Sequence, residues 1–272
     1  MESNSSSSVV IKKPSSFLNA FIEEYVLRNI TVKEGTELIK FMPCRYANSI
    51  DFYIGDAYDT FDLKSGELKP FLNCTIRGPR THKKNKIFIK GTFRCFSIRF
   101  TSTGMYQLLN IPMDQFCNEA VDALMVYPGV FRELTERLMG LNDIQSCIVL
   151  AESYLMNKLK PHKSASPIVS NLAAKIVAST NSLPLTTLYK QMPLSTRQLE
   201  RNFVKEIGLT PKMYGSVVRF EKVIKHKMSH SKKKWTEIAY EHNYSDQMHL
   251  VKDFHRFLNI SPGNFHPEDF AL

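Results

Sequence analysis

The last third of the chain contains one pattern written twice. Leu199 to Pro211 returns 51 positions later as Leu250 to Pro262. The matched pairs are chemically specific: Arg201 with Lys252, Phe203 with Phe254, Lys205 with Arg256, Ile207 with Leu258, and Gly208 with Asn259. Thr210-Pro211 and Ser261-Pro262 close the two copies, and Tyr214 and Phe265 extend the match beyond each proline. Ser195 and Asp246 stand at the same distance before each leading leucine. Each copy therefore specifies a helix at both ends. A Ser or Asp side chain accepts a bond from an orphan backbone N–H at the start. Gly or Asn takes the left-handed conformation that ends a helix, and Pro prevents its resumption.

Projected at about 100° per residue, Leu199, Phe203 and Ile207 form one buried stripe. Arg201 points the opposite way, flanked by Arg197, with Gln198 and Lys205 further out. In the second copy Leu250, Phe254, Phe257 and Leu258 form the stripe, and Met248, Lys252, His255 and Arg256 face away, with His249 at the edge. A shorter segment from Trp235 to Tyr244 precedes the second copy, with Ala239 small enough for close helix approach and Asn243 able to adopt positive φ in a turn. Leu185 to Gln191 is expected as the corresponding helix before the first copy, and Ile168 to Ser179 as a helix before that. Met213 to Met228 joins the copies as one helical pattern, with Val217, Phe220 and Ile224 on one side. Two helix-turn-helix units on a rigid spacer suit successive major-groove segments of one DNA face, about 34 Å apart.

Charge agrees with that reading. Residues 161–272 hold 16 Lys and Arg against 9 Asp and Glu, and seven of the eight histidines. A basic domain is the electrostatic footprint of a polyanion partner. Arg197 and Arg201 are the candidates for base-edge contact, since Arg donates two bonds to guanine O6 and N7. Gln198 joins them, and Met248, His249 and Lys252 are the equivalents in the second copy. Ser195, Lys205 and Arg256 are placed for phosphate contacts, which fix register without reading sequence. The competing reading of each cation is a solvated helix face, and Lys232 to Lys234 is read first as a solvated loop.

The first part of the chain reads differently. Residues 1–16, rich in serine, are expected as a flexible tail. Phe17 to Leu27 fits either a short helix or a strand. Alternation at Ile50, Phe52 and Ile54, at Phe71 to Ile76, at Lys86 to Lys90 and at Phe96, Ile98 and Phe100 predicts short strands between Gly and Pro turns. Two helical patterns follow, over Pro128 to Leu141 and Ile144 to Leu159; they either complete the core of the sheet or pair with a second copy of the chain. The expected fold class is α+β in two domains. Residues 17–160 form a small β-sandwich or barrel with helices, 161–167 a linker, and 168–272 an all-α domain of two helix-turn-helix units joined by a linker helix.

The C-terminal residues resemble the AraC/XylS family of bacterial transcription regulators. The resemblance rests on Leu188, Ser195, Leu199, Arg201, Phe203, Gly208, Thr210-Pro211, Arg219, Ile238-Ala239, Tyr244, Asp246, Leu250, Lys252, Phe254, Arg256 and Ser261-Pro262. Tyr189, Asn243, Asn259, Leu250 and Lys252 depart from the family pattern, and Lys in place of Arg gives a point charge instead of a bidentate fork. Gly78-Pro79-Arg80-Thr81, Phe96 to Gly104 and Leu108 to Pro112 resemble a cupin-like domain carried by some members. The resemblance implies a cytoplasmic bacterial activator that binds promoter DNA. It further implies partners among RNA polymerase, a small-molecule effector and a second copy of the chain. The alternative is an architectural or partner-recruiting protein whose DNA contacts are mostly non-specific.

Other chemistries find little support. The five cysteines are scattered and form no CxxC pair. His226 and His230 have a spacing zinc can use but lack an apparent third ligand, and the N-terminal part has one histidine, His82, so no metal or other cofactor is expected. No nucleophile–base arrangement or phosphate-binding glycine loop points to an enzyme. No stretch approaches the roughly 20 apolar residues of a membrane span.

Overall fold

The computed structural model describes residues 5–158, 165–178, 189 and 192–270. The expected linker at 161–167 falls largely outside these residues, and so does the helix expected over Leu185 to Gln191, apart from Tyr189.

The N-terminal part is built on two antiparallel sheets. The larger has the order β1-β2-β9-β4-β7-β10 and the smaller β3-β8-β5-β6. Their strands are β1 (Ser5–Lys12), β2 (Ile22–Val32), β3 (Leu38–Phe41), β4 (Ser49–Tyr53), β5 (Asp59–Asp62), β6 (Leu68–Lys69), β7 (Cys74–Arg77), β8 (Asn85–Ile89), β9 (Thr92–Phe100) and β10 (Ala120–Asp122). The alternation in β9 sets the layering. Phe96, Ile98 and Phe100 are buried with the helices α1 (Gly104–Leu109), α2 (Ala123–Val126), α3 (Pro128–Met139) and α4 (Ile144–Lys158). Phe93 and Cys95 instead join Tyr53, Tyr58, Ile87 and Ile89 in a second cluster. The two apolar helices thus complete the core of the larger sheet.

One expectation is corrected. Ser5–Lys12 is no flexible tail: it pairs along its whole length with β2, from Ser5 opposite Val32 to Lys12 opposite Tyr25. Its side chains are mostly exposed. Backbone bonds to a long neighbour hold it in place, and the β-branched Val9, Val10 and Ile11 favour the extended form. The ambiguous stretch from Phe17 resolves into a turn followed by β2.

The C-terminal part is helical: α5 (Pro167–Ala178), α6 (Thr196–Ile207), α7 (Pro211–Ser229), α8 (Trp235–Glu241) and α9 (Gln247–Leu258). Helix α7 has 19 residues, hence a length of about 28 Å. It is the hub of the helical core. Phe220 packs against Phe254 and Phe257 with ring centroids 5.0 Å away in each case. Tyr214 meets Phe203 edge-on at 5.5 Å.

The two parts share an apolar seam. Cys44 is buried in the C-terminal core, with Phe41 and Tyr46 packed on it. The Tyr46 amide donates to buried Glu221 at 3.2 Å, Lys83 N donates to the Phe257 carbonyl at 2.8 Å, and Phe41 forms a bridge with Phe270. Burial pushes the Glu221 carboxyl up, but Arg45 and Lys225 outweigh it and hold the pKa below its ordinary value.

Glu206 is the exception inside this core. Burial outweighs the Ser166 amide, at 3.1 Å, and the charge of Lys205, and raises the pKa of its carboxyl to about 7. Between its ordinary value of 4.5 and about 7, the folded chain holds more protons here than the unfolded chain. The associated stability is full below pH 4.5 and lost as pH rises through about 7. Glu206→Gln should therefore raise the Tm relative to the parent at pH 8 and leave it unchanged at pH 4.5. Thermal unfolding followed by circular dichroism at the two pH values checks this, and an equal change at both would contradict it.

Candidate nucleic-acid interface

The two repeated helices are terminated as their sequences require. Ser195 Oγ accepts from Gln198 N at 3.3 Å, and Asp246 Oδ1 accepts from His249 N at 2.7 Å. Gly208 and Asn259 close the helices in the left-handed region, with φ of 95° and 55°. Asn243 also has positive φ, at the turn between α8 and α9. Leu199, Phe203 and Ile207 are fully buried on one side, as are Leu250, Phe254 and Phe257 on the other. What remains outside is the exposed, polar face of each helix.

On α6 that face is cationic. Arg197, Gln198, Arg201 and Lys205 are exposed, and Ser195 lies exposed at the helix start. Arg197, Arg201 and Lys205 line one open cleft together. Glu200 is half-buried and turned toward Tyr189, whose hydroxyl it holds by a hydrogen bond. On α9, Met248 is 61% exposed, and Lys252, His255 and Arg256 are exposed beside it. Arg256 also donates to the Met213 sulfur at 3.4 Å.

His249 sits differently from its neighbours. It is half-buried, and Arg219 of α7 donates to its Nε2 at 3.2 Å. A guanidinium only donates, so Nε2 is the acceptor and Nδ1 carries the proton. Nδ1 faces Ser245 Oγ at 3.4 Å, and the ring lies edge-on to Tyr244 at 5.0 Å. Arg219 also reaches Asp253 at 3.4 Å and lies over the Tyr244 ring at 4.4 Å, while the Tyr244 hydroxyl donates to Asp253 at 2.9 Å. This network fastens α9 to α7. The helical projection put His249 at the edge of the face; Arg219, 30 positions earlier, decides which way it turns. Gln247, exposed at the first turn of α9, was passed over by the sequence reading although its amide can hydrogen-bond a base edge.

His226 and His230 gain a neighbour in space. His226 Nδ1 lies 3.0 Å from His242 Nε2, and the His226 and His230 rings are 4.7 Å apart. Glu241 is shared between His226 and Lys233. Among the described residues no group of three or more His, Cys, Asp or Glu is arranged to hold a metal ion. Of the lysine run, Lys232 and Lys234 are exposed, and Lys233 pairs with Glu241 at 2.6 Å.

A second concave feature lies on the seam, between the larger sheet and α7. It is a cavity of about 190 Å³ with Val9, Ile11, Phe220 and Ile224 among its walls. Arg28, Arg45, Arg99 and Lys225 supply positive charge around it, and Glu221 the one acid.

Residues 188–267 match a family model described as a helix-turn-helix domain. This chain carries a helix-turn-helix domain. The chain is 40% identical over 72 residues to the HTH-type transcriptional activator RhaS of Shigella boydii serotype 18, covering 26% of each chain. RhaS of Escherichia coli strain SE11 is 32% identical over 119 residues, 44% of this chain and 42% of that one. The matched stretches thus span between about a quarter and two fifths of these curated relatives. Among solved structures, ToxT from Vibrio cholerae O395 aligns over 99% of both chains at 8% identity and a TM-score of 0.47. No helix of the described residues is long and apolar enough to cross a membrane.

Removing Arg219 from the network leaves the Asp253 carboxylate buried without its cation. Arg219→Ala should destabilise the fold by roughly 3 kcal/mol. Met248→Ala and Lys252→Ala, which touch only the outer face, should stay within about 0.5 kcal/mol of the parent. Urea denaturation of the three variants separates the two groups.

Proposed function

We propose that the chain is a sequence-specific DNA-binding transcription regulator, working as an activator in the bacterial cytoplasm. The observation that carries this reading is the pair of helices α6 and α9. Both are capped and buried alike, both are fixed to the one rigid helix α7, and both leave a polar, largely cationic face exposed. Such a face fits the major groove, where base edges present a distinct donor and acceptor pattern. The RhaS relatives are named as transcriptional activators, which supports the sign of regulation.

In this reading Arg197, Gln198 and Arg201 contact base edges from the first unit. Met248 and Lys252 do so from the second, with Gln247 beside them. His249, held by Arg219, orients the second helix. Ser195, Lys205 and Arg256 contact phosphates and set the register. The seam cavity is the site for a small-molecule effector, and its lining favours a compact, largely apolar ligand with an anionic end. RNA polymerase and a second copy of the chain are the expected protein partners of an activator.

Arg201→Ala should cost about 1–3 kcal/mol in binding to a target duplex selected from a random pool, and relax selection at one base position. Equal weakening on target and random duplex would rule out base reading by Arg201. Competition between target and random duplex decides the wider question. A regulator prefers the target strongly, whereas a preference below about tenfold favours an architectural protein with non-specific contacts. Affinity should also fall steeply with salt, through counterion release.

A further inference from the structure

The histidines near the end of α7 meet α8 where the second helix-turn-helix unit enters its turn. His226 Nδ1 lies 3.0 Å from His242 Nε2, and the two rings are edge-on with centroids 5.2 Å apart. Both side chains are half-buried. His242 caps α8, its amide bonded back to the Ile238 and Tyr240 carbonyls. Asn243, with its positive φ, and Tyr244 follow at once, and then α9. The two rings therefore fasten the end of α8 to α7 beside the turn that sets the angle of α9.

A ring nitrogen donates only when it carries hydrogen and accepts only when it does not. Two neutral imidazoles satisfy the contact with complementary tautomers, and so does one imidazolium beside one neutral ring. Two imidazoliums cannot, because both facing nitrogens carry hydrogen and two like charges meet. The surroundings sharpen that conflict. On α7 stand Lys222, Lys227 and His230, whose ring is 4.7 Å from that of His226. Lys233 approaches from the loop before α8. Glu241 supplies negative charge 3.5 Å from His226 Nε2, but it is already paired with Lys233 at 2.6 Å. Burial, then the charges of His226 and Lys222, hold the His242 pKa below its ordinary value of 6.5, against the pull of Glu241. The contact is thus whole above 6.5 and lost as pH falls through the lowered value.

We infer that the His226–His242 pair is a proton-sensitive clasp that positions the second recognition helix, so that acidification loosens the hold of α9 on DNA. The two histidines act through α9 and touch no base. The inference rests on the DNA-reading role proposed for α9.

The test uses the full chain and a target duplex selected from a random pool. A second duplex is scrambled over the half-site where Lys252→Ala relaxes selection. The ratio of the two affinities reads the second unit alone, because the general tightening caused by protonated histidines cancels in it. Between about pH 7.5 and about pH 5 the parent ratio should fall about tenfold, the equivalent of roughly one unit of pKa shift. His242→Gln places an amide that can donate or accept without titrating, and its ratio should change less than about threefold. His226→Gln does the same from the other side, and serves if circular dichroism shows His242→Gln to be misfolded. His266→Gln, which removes an exposed histidine elsewhere, should follow the parent. If the parent ratio stays constant, or falls equally in the folded glutamine variants, the clasp is refuted and reading by α9 stands. If Lys252→Ala and Met248→Ala relax selection at no position, the role of α9 falls, and the inference falls with it.

Discussion

Tyr214 touches both ends of the molecule at once. Its ring meets Phe203 of the first repeated helix at 5.5 Å and Tyr46 of the N-terminal part at 5.6 Å, and its hydroxyl lies 2.8 Å from that of Ser102. One turn and a half further along the same helix, Phe220 packs on α9 and Glu221 meets the Tyr46 amide. Arg219, on the same helix, ties down the second unit through Asp253 and His249. Helix α7 is therefore clamped by both helix-turn-helix units and by the sheet domain. Interiors packed at near-crystalline density transmit displacement more readily than they absorb it. The positions of the exposed faces of α6 and α9 and the packing of the seam are thus parts of one packing problem.

The two copies have diverged within that frame. Glu206 of the first copy occupies the place of Phe257 in the second, and both are buried. The phenylalanine fills the core; the glutamate reaches the Ser166 amide at the start of α5 and carries a proton cost that the phenylalanine lacks. The outer faces differ as well. The first offers two arginines in line, while the second offers methionine and lysine, with its histidine drawn back to Arg219.

What could be read from the chain beforehand follows from how local each signal is. Ser195, Gly208, Asp246 and Asn259 act on backbone groups within a turn of themselves, so spacing alone predicted the two helices and their ends. Strands β8 and β9 were visible because alternation survives in any sheet with one buried face. The pairing of Ser5–Lys12 with β2 was invisible: a serine run has the composition of a tail, and what orders it is a partner strand about twenty residues away. The direction of His249 depends on an arginine on another helix, and the crowding at Gly208 on Met113 and Pro79, far earlier in the chain. No periodicity encodes contacts of that kind.

Gly208 and Asn259 do the same job at the ends of twin helices, yet they are under unequal constraint. Asn259 is exposed and holds its left-handed backbone angle at the surface. Gly208 has the angle and, in addition, the Met113 carbonyl and the Pro79 ring pressed against the space where a side chain would begin. As a duplicated sequence drifts, the second site is free to sample whatever tolerates a left-handed turn. The first is frozen by a neighbour from the other half of the protein, so its tolerance to substitution records the history of the domain contact as well as that of the helix.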